Sequence, residues 1–155
     1  MRQIMTTAKI VYASMTGNNE EIANILDEEL TDRGVTTSLS DISFTPASEY
    51  LNYDLTLMVV YTYGEGEMPD EVADFYDDLA ELDLTGKVYA VMGSGDVFYE
   101  EHYCETVDYF EQLFTKIGAT KGAEPLKINL EADEADMDNI AAVADSVLAK
   151  LNEKA

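Results

Sequence analysis

Residues 9–30 read KIVYASMTGNNEEIANILDEEL and contain an apolar run, a polar loop and an amphipathic segment, in that order. The run at residues 10–13 is short and β-rich, which predicts a buried strand. Residues 18–33 carry apolar side chains at the spacing of one helical face, and Gly34 is a typical residue to end such a helix. A strand that enters a helix through a short polar loop is the building unit of an α/β domain.

The alternation of strand and helix continues along the chain. Residues 55–61 are apolar except for Thr56 and predict a strand of the buried, parallel kind. Further strands are predicted at 35–40, 88–92 and 126–130, and helices at 46–52, from Pro69 onward, at 103–117 and at 134–151. This order predicts a single α/β domain over residues 1–155, with its core at 8–151. The expected architecture is a doubly wound five-stranded parallel sheet of order 2-1-3-4-5, with helices on both faces.

The charge of the chain is strongly acidic. It has 9 Lys and Arg against 32 Asp and Glu, a formal net charge of −23. Nucleic acids and anionic membranes are bound by basic surfaces, so neither is an expected partner. The charge favours partner proteins with positive patches, although acidity can also serve solubility alone.

Several other classes of protein are excluded by composition. One cysteine, Cys104, and one histidine, His102, allow neither an internal disulfide nor a Cys₂His₂ zinc site. The acids at 133, 136 and 138 do not match an EF-hand loop, so no metal is expected. No apolar run approaches the roughly 20 residues that span a bilayer, and residues 1–7 do not resemble a signal peptide. We expect a cytoplasmic protein.

The loop after the first strand has the chemistry of a phosphate site. Ligands on doubly wound sheets bind at the carboxyl ends of the strands, where the strand order reverses. Residues 14–20 read SMTGNNE and place hydroxyls, a glycine and two asparagines at a helix start, where backbone N–H groups are free. The loop has no Lys or Arg, which suits a monoester more than a triphosphate, and it lacks the Walker and GxGxxG patterns. Ordinary helix capping would use the same residues.

The loops after the third and fourth strands combine glycine with aromatic residues. Tyr63 stands beside two glycines in residues 61–69, and Tyr99 follows the glycine-rich residues 93–95. A flat ligand could stack on these rings while glycine lets the backbone approach its edge. Each loop alone also fits an ordinary turn, but three such loops at one sheet edge predict a site for a phosphate and a flat ring together.

These motifs resemble those of the short-chain flavodoxins, and the likeness extends from Ala8 to Leu151. Residues 14–18 match the family's motif for the phosphate of flavin mononucleotide (FMN), residues 62–66 match that for one face of the ring, and residues 93–96 with Tyr99 match that for the other. The insertion that long-chain members carry has no room between Gly122 and Glu131. The resemblance implies FMN-binding residues at Ser14, Met15, Thr16, Gly17, Asn18, Asn19, Tyr61, Thr62, Tyr63, Gly64, Glu65, Gly66, Ser94, Gly95, Asp96, Tyr99, Tyr103 and Cys104, with no catalytic residue.

The same resemblance implies a function. Proteins of this kind carry one electron at a time, at low potential, on non-covalently bound FMN. We therefore expect an electron carrier and not an enzyme. Its expected partners are cationic redox proteins, a reductase as donor and an oxidoreductase as acceptor, and the chain itself is expected to be a monomer.

Two departures from the family pattern affect the predicted site. Asn19 stands where many relatives have Thr, so one hydroxyl near the phosphate is lost, although an amide N–H can still donate. Tyr63 stands where many relatives have Trp, which leaves a smaller stacking face. We expect altered contacts with FMN at both positions, without loss of binding.

Two other functions share parts of this pattern. A receiver domain of two-component signalling has the same strand order, but it needs an acidic pair after the first strand and an Asp at the end of the third. Here those places hold Ser14-Met15 and Tyr61-Thr62, so the sequence argues against it. The alternative that stays open is a flavin-dependent reductase or an activator of a radical enzyme. The sequence offers no Arg or Lys cluster for the phosphate of NADPH.

Overall fold

A computed structural model describes residues 6–13, 18–61, 70–95, 105–129 and 133–154 of the chain. Within them, strands and helices alternate as the hydrophobic pattern predicts, except that no helix separates the last two strands. The strands are β1 (Thr7–Tyr12), β2 (Thr36–Asp41), β3 (Leu55–Tyr61), β4 (Val88–Gly95), β5 (Thr120–Lys121) and β6 (Leu126–Asn129). The α-helices are α1 (Asn18–Asp32), α2 (Asp70–Leu79), α3 (Glu105–Lys116) and α4 (Glu134–Lys154), and two 3₁₀ helices cover Ile42–Phe44 and Ala47–Asn52.

The strands form one parallel sheet in the order β2-β1-β3-β4-β5, which confirms the predicted order 2-1-3-4-5. The fifth position is shared by two short strands. β5 pairs with the start of β4, and β6 pairs with its end, from Met92 to Gly95. The sequence predicted only the second of these, at 126–130. Four residues, 122–125, separate the two strands.

Each face of the sheet is covered by a pair of helices, because alternate strand residues point to opposite faces. The first face carries Ile10, Leu57 and Ala90 and packs against α1 and α4. The second face carries Val11, Met58 and Val91 and packs against α2, α3 and the 3₁₀ helix at Ala47–Asn52. β3 is buried along residues 55–60, Thr56 included, as its nearly continuous apolar run predicts. Because the strands are parallel and each α-helix directly follows a strand, the helices begin at the edge where the strands end.

The structure corrects the predicted extent of β4. The sequence assigned residues 93–95 to a loop, but Gly93, Ser94 and Gly95 extend the strand. They are held there by pairing on both sides, with Val60 and Tyr61 of β3 and with residues 127–129 of β6. β1 also begins earlier than predicted, at Thr7 in place of residue 10.

Glycine at position 93 is required by the closeness of β3. A Cβ atom built on Gly93 would lie 1.8 Å from the carbonyl oxygen of Val60 and 3.0 Å from a methyl of Val107. No side chain fits in that space. The backbone of β3 therefore lies against the end of β4 just before the chain leaves the sheet.

Candidate functional site

Three connections leave the sheet at the ends of β1, β3 and β4. The strand register places Tyr12 beside Val59, and Tyr61 beside Ser94, so the strands end at one edge. The first connection is residues 14–17, the second is 62–69 and the third is 96–104. Most predicted FMN contacts lie in them, outside the described residues, namely Ser14, Met15, Thr16, Gly17, Thr62, Tyr63, Gly64, Glu65, Gly66, Asp96, Tyr99, Tyr103 and Cys104. Asn18 and Gly95 are described by their backbone, and Asn19, Tyr61 and Ser94 with their side chains.

The edge coincides with the point where the strand order reverses. β1 pairs with β2 on one side and with β3 on the other, so the chain moves in opposite directions from β1. The first connection leaves from this position, and α1 begins directly after it at Asn18. The first N–H groups of a helix have no partner within the helix and carry a partial positive charge. The start of α1 therefore offers neutral donors at the crevice where doubly wound sheets bind ligands.

Asn19 connects the end of β1 to the end of β4. Its side chain is 1% exposed. Nδ2 donates to the carbonyl oxygen of Ala13 over 2.7 Å, and Oδ1 accepts from Ser94 N over 3.1 Å and from Ser94 Oγ over 2.7 Å. The sequence pattern placed Asn19 near the phosphate as a donor. The structure places its side chain against the protein itself, while the contact of its backbone N–H with a phosphate stays a prediction.

The second connection is joined across its ends by a hydrogen bond. Tyr61 is the last residue of β3, and its hydroxyl lies 3.0 Å from Oε1 of Glu71, in the first turn of α2. The carboxylate accepts and the phenol donates. This contact ties the end of β3 to the first turn of α2, on the two sides of residues 62–69. Sequence reasoning identified Tyr61 but not Glu71, because an acid in the first turn of a helix is common for electrostatic reasons alone.

Tyr12 is a further residue at this edge that the sequence did not single out. It is half-buried at the end of β1. The pKa of Tyr12 is raised above its ordinary value of 10.0, mainly by burial of the phenol and to a smaller extent by the carboxylates of Glu20 and Asp41. The phenol therefore stays neutral at physiological pH. The signal for it was its place near the end of the predicted strand at residues 10–13, two residues before the start of the polar loop.

Acidic residues collect where the helices begin. The first turns contain Glu20 and Glu21 in α1, Asp70 and Glu71 in α2, and Glu134 and Asp136 in α4. Lys127 of β6 also lies near this edge, because it pairs with Gly93, but its ammonium is bound by Asp108 over 2.7 Å. The described part of this edge therefore carries acids beside the uncharged N–H donors at the start of α1.

The described residues offer neither a metal site nor a membrane span. They contain no group of three or more His, Cys, Asp or Glu side chains that could hold a metal ion. In the same part of the chain, no helix is both long enough and apolar enough to cross a membrane. The acids at 133 and 136 bond to each other's backbone N–H groups at the start of α4, which is a capping arrangement.

Comparison with known proteins gives consistent matches. The family model described as flavodoxin matches residues 10–142. A protein of Bacillus subtilis (strain 168) described as probable flavodoxin 1 is 37% identical over 147 residues, which are 94% of this chain and 92% of that protein. The solved structure of a short-chain flavodoxin associated with a bacterial microcompartment is 49% identical, with a TM-score of 0.93 over 95% of this chain and 99% of that one.

Some relatives are larger proteins, of which only one part matches this chain. The flavoprotein alpha-component of sulfite reductase from Photobacterium profundum is 33% identical over 127 residues, which are 80% of this chain but only 21% of that protein. The same fold therefore occurs both as a separate protein of this length and as one portion of a reductase.

Proposed function

Because the chain belongs to the flavodoxin family, whose members bind FMN and transfer electrons, we propose that it carries single electrons at low potential between redox partner proteins. The cofactor supplies the electron chemistry when it is bound, and the protein supplies the binding, orientation and electrostatics. The observation that carries this proposal is the edge itself. Three connections leave β1, β3 and β4 side by side, at the reversal of strand order and at the start of α1.

The start of α1 suits the phosphate of FMN. We assign the phosphate to Ser14, Thr16, Gly17, Asn18 and Asn19, with backbone N–H groups and hydroxyls as donors. Residues 14–21 include no Lys or Arg, so a dianionic phosphate would be held by neutral groups and the dipole of α1. Riboflavin lacks the phosphate and should therefore bind much more weakly than FMN.

The second and third connections suit the flavin ring. We assign Tyr63 and Tyr99 to its two faces, with Met15, Tyr61, Thr62, Gly64, Glu65, Gly66, Ser94, Gly95, Asp96, Tyr103 and Cys104 around it. Tyr61 and Ser94 are neighbours across β3 and β4, so the two connections begin side by side. Stacking and apolar burial contribute on the order of 1–3 kcal/mol per aromatic ring. Tyr99→Ala should weaken FMN binding about tenfold or more.

We propose that the chain acts as a carrier and has no enzymatic activity of its own. The larger reductases that share this fold contain it as about a fifth of their length. Purified protein loaded with FMN should not oxidise NADPH alone, but a reductase that oxidises NADPH should pass the electrons on to it. Steady NADPH oxidation by the protein alone would favour the alternative of a flavin-dependent reductase. The protein is also proposed to be a monomer and to be located in the cytoplasm.

The distribution of charge favours cationic redox proteins as partners. Acids occupy the first turns of α1, α2 and α4 at the edge of the site. The opposite ends of the helices carry both signs of charge, with Arg33 directly after α1, Lys116 ending α3 and Lys150 near the end of α4, beside acids such as Asp32 and Glu153. A partner with a positive patch would therefore be attracted to the edge where the cofactor is proposed to bind.

The docking proposal can be tested with two matched triple variants. Glu20→Gln, Glu21→Gln and Asp70→Asn remove three exposed acids at the site edge, whereas Asp32→Asn, Glu81→Gln and Glu153→Gln remove three exposed acids elsewhere. Both variants change the net charge equally. The probe is the rate at which reduced protein transfers electrons to a cationic haem protein, cytochrome c, measured by stopped flow.

The two variants should differ in their response to salt. Charge interactions are screened over about 8 Å at physiological ionic strength, so the wild-type rate should fall between about 0.05 and 0.5 M salt. The first variant should be slower at low salt and less sensitive to salt, and the second should follow the wild type. Equal behaviour of the two variants would contradict docking at the site edge.

A further inference from the structure

We propose that Asn19 is a positioning residue, whose carboxamide fixes the end of β1 and the start of α1 relative to the end of β4. One rigid frame would then bind FMN both at its phosphate and at its ring. The inference rests on the proposed FMN site and adds a residue whose side chain acts through the protein and not on the cofactor. Its basis is the set of three hydrogen bonds that the buried side chain makes.

The bonds define which way the carboxamide lies. The Ala13 carbonyl can only accept, so the Asn19 atom beside it must be the nitrogen. The Ser94 N–H can only donate, so the atom beside it must be the oxygen. Reversing the amide would set two acceptors together and two donors together. The side chain is therefore locked in one orientation inside the protein.

The span of these bonds is what makes the residue a link between the parts of the site. β1 and β4 are not neighbours, since β3 lies between them. Adjacent strands are about 4.8 Å apart, so Asn19 joins backbones separated by about 10 Å. Ala13 precedes the first connection, Asn19 follows it, and Ser94 lies two residues before the third. One side chain thus sets the distance between the places where the phosphate and the ring are proposed to bind.

This arrangement affects FMN and riboflavin differently. FMN must contact both places at once, so its binding depends on their distance. Riboflavin has the ring but no phosphate, so its binding does not depend on the distance between the two places. Loss of the Asn19 side chain should therefore reduce the preference for FMN over riboflavin, whereas a side chain needed only for folding would leave that preference unchanged.

The experiment measures the dissociation constants of FMN and riboflavin by fluorescence quenching, on apoprotein shown to be folded. The variants are Asn19→Ala, Ser94→Ala and the double variant, with Asn24→Ala as control, because Asn24 is exposed on the same helix. Asn19→Ala should lower the FMN-to-riboflavin preference about tenfold or more. Ser94→Ala loses only the hydroxyl bond and should lower it about threefold. The double variant should equal Asn19→Ala, since both changes break the same link.

The possible outcomes separate this inference from the proposed function. An unchanged preference in Asn19→Ala would overturn the inference and leave FMN binding intact. A reduced preference whose effects add in the double variant would also overturn it, because Asn19 and Ser94 would then act independently and not through one link. If Asn19→Ala does not fold, Ser94→Ala decides, and an unchanged preference there rejects the link. A wild-type protein without preference for FMN would refute the proposed function itself.

Discussion

Replacing Gly93 with alanine should strongly destabilise the protein, because the added methyl has no space. Its Cβ would lie 1.8 Å from the Val60 carbonyl oxygen and 2.9 Å from the Val60 carbonyl carbon, whereas real Cβ atoms essentially never lie within 3.0 Å of such an atom. β3 and β4 would have to separate by about 1.2 Å to restore that minimum. A shift of this size breaks one or two bonds between the strands, at about 0.5–1.5 kcal/mol each, besides about 1–3 kcal/mol for overpacking.

The free energy of unfolding should fall by about 2–5 kcal/mol, measured by urea denaturation of the apoprotein. Gly34→Ala is the matched control, because Gly34 has a φ of 84° and no heavy atom within 4 Å of its added Cβ. That change introduces backbone strain without collision and should cost about 1 kcal/mol. A loss of stability in Gly93→Ala no larger than that in Gly34→Ala would refute the steric explanation.

Three further predictions concern side chains near the core and the site. Burial raises the pKa of Tyr50 well above its ordinary value of 10.0, so the stability that its neutral phenol contributes is fully present below about pH 10 and is lost as the pH rises beyond it. In urea denaturation above about pH 10, Tyr50→Phe should lose stability less steeply than the wild type. Lys9 is 2% exposed, and its ammonium is bound to Glu49 over 2.8 Å, so Glu49→Ala should lower the free energy of unfolding by about 1–3 kcal/mol. Lys9→Met should cost less, because water reaches the Glu49 carboxylate that it leaves without a partner, and equal losses would contradict this. Tyr61→Phe removes the bond to Glu71 and should speed proteolysis within residues 62–69, with an unchanged cleavage rate as the contrary result.

The sequence predicted most of the sheet because its central strands are unambiguous. Six of the seven residues of β3 are apolar, with Thr56 as the exception, and such a run is typical of a strand buried on both faces. β5 was missed because it consists of Thr120 and Lys121 alone, which carry no hydrophobic pattern. The strand character of residues 93–95 was missed because glycine is rare inside strands, and its reason here is the closeness of Val60, which no local pattern reveals.

The candidate site shows the same division between local and distant information. The motif at residues 14–19 is local, so the start of α1 and its polar loop could be recognised directly. The bonds of Asn19 could not be predicted, because Ser94 is 75 residues away in sequence. The buried Lys9 was missed for the same reason, since its partners Ser38, Ser40 and Glu49 are 29 or more residues distant.

Titration of the apoprotein with FMN and with riboflavin, followed by calorimetry, tests the central claim most directly. We predict one FMN bound per chain and an affinity for riboflavin that is weaker by about a hundredfold or more, because the phosphate at the start of α1 contributes charge-assisted hydrogen bonds. Equal affinities for the two ligands would contradict the assignment of the phosphate to residues 14–19.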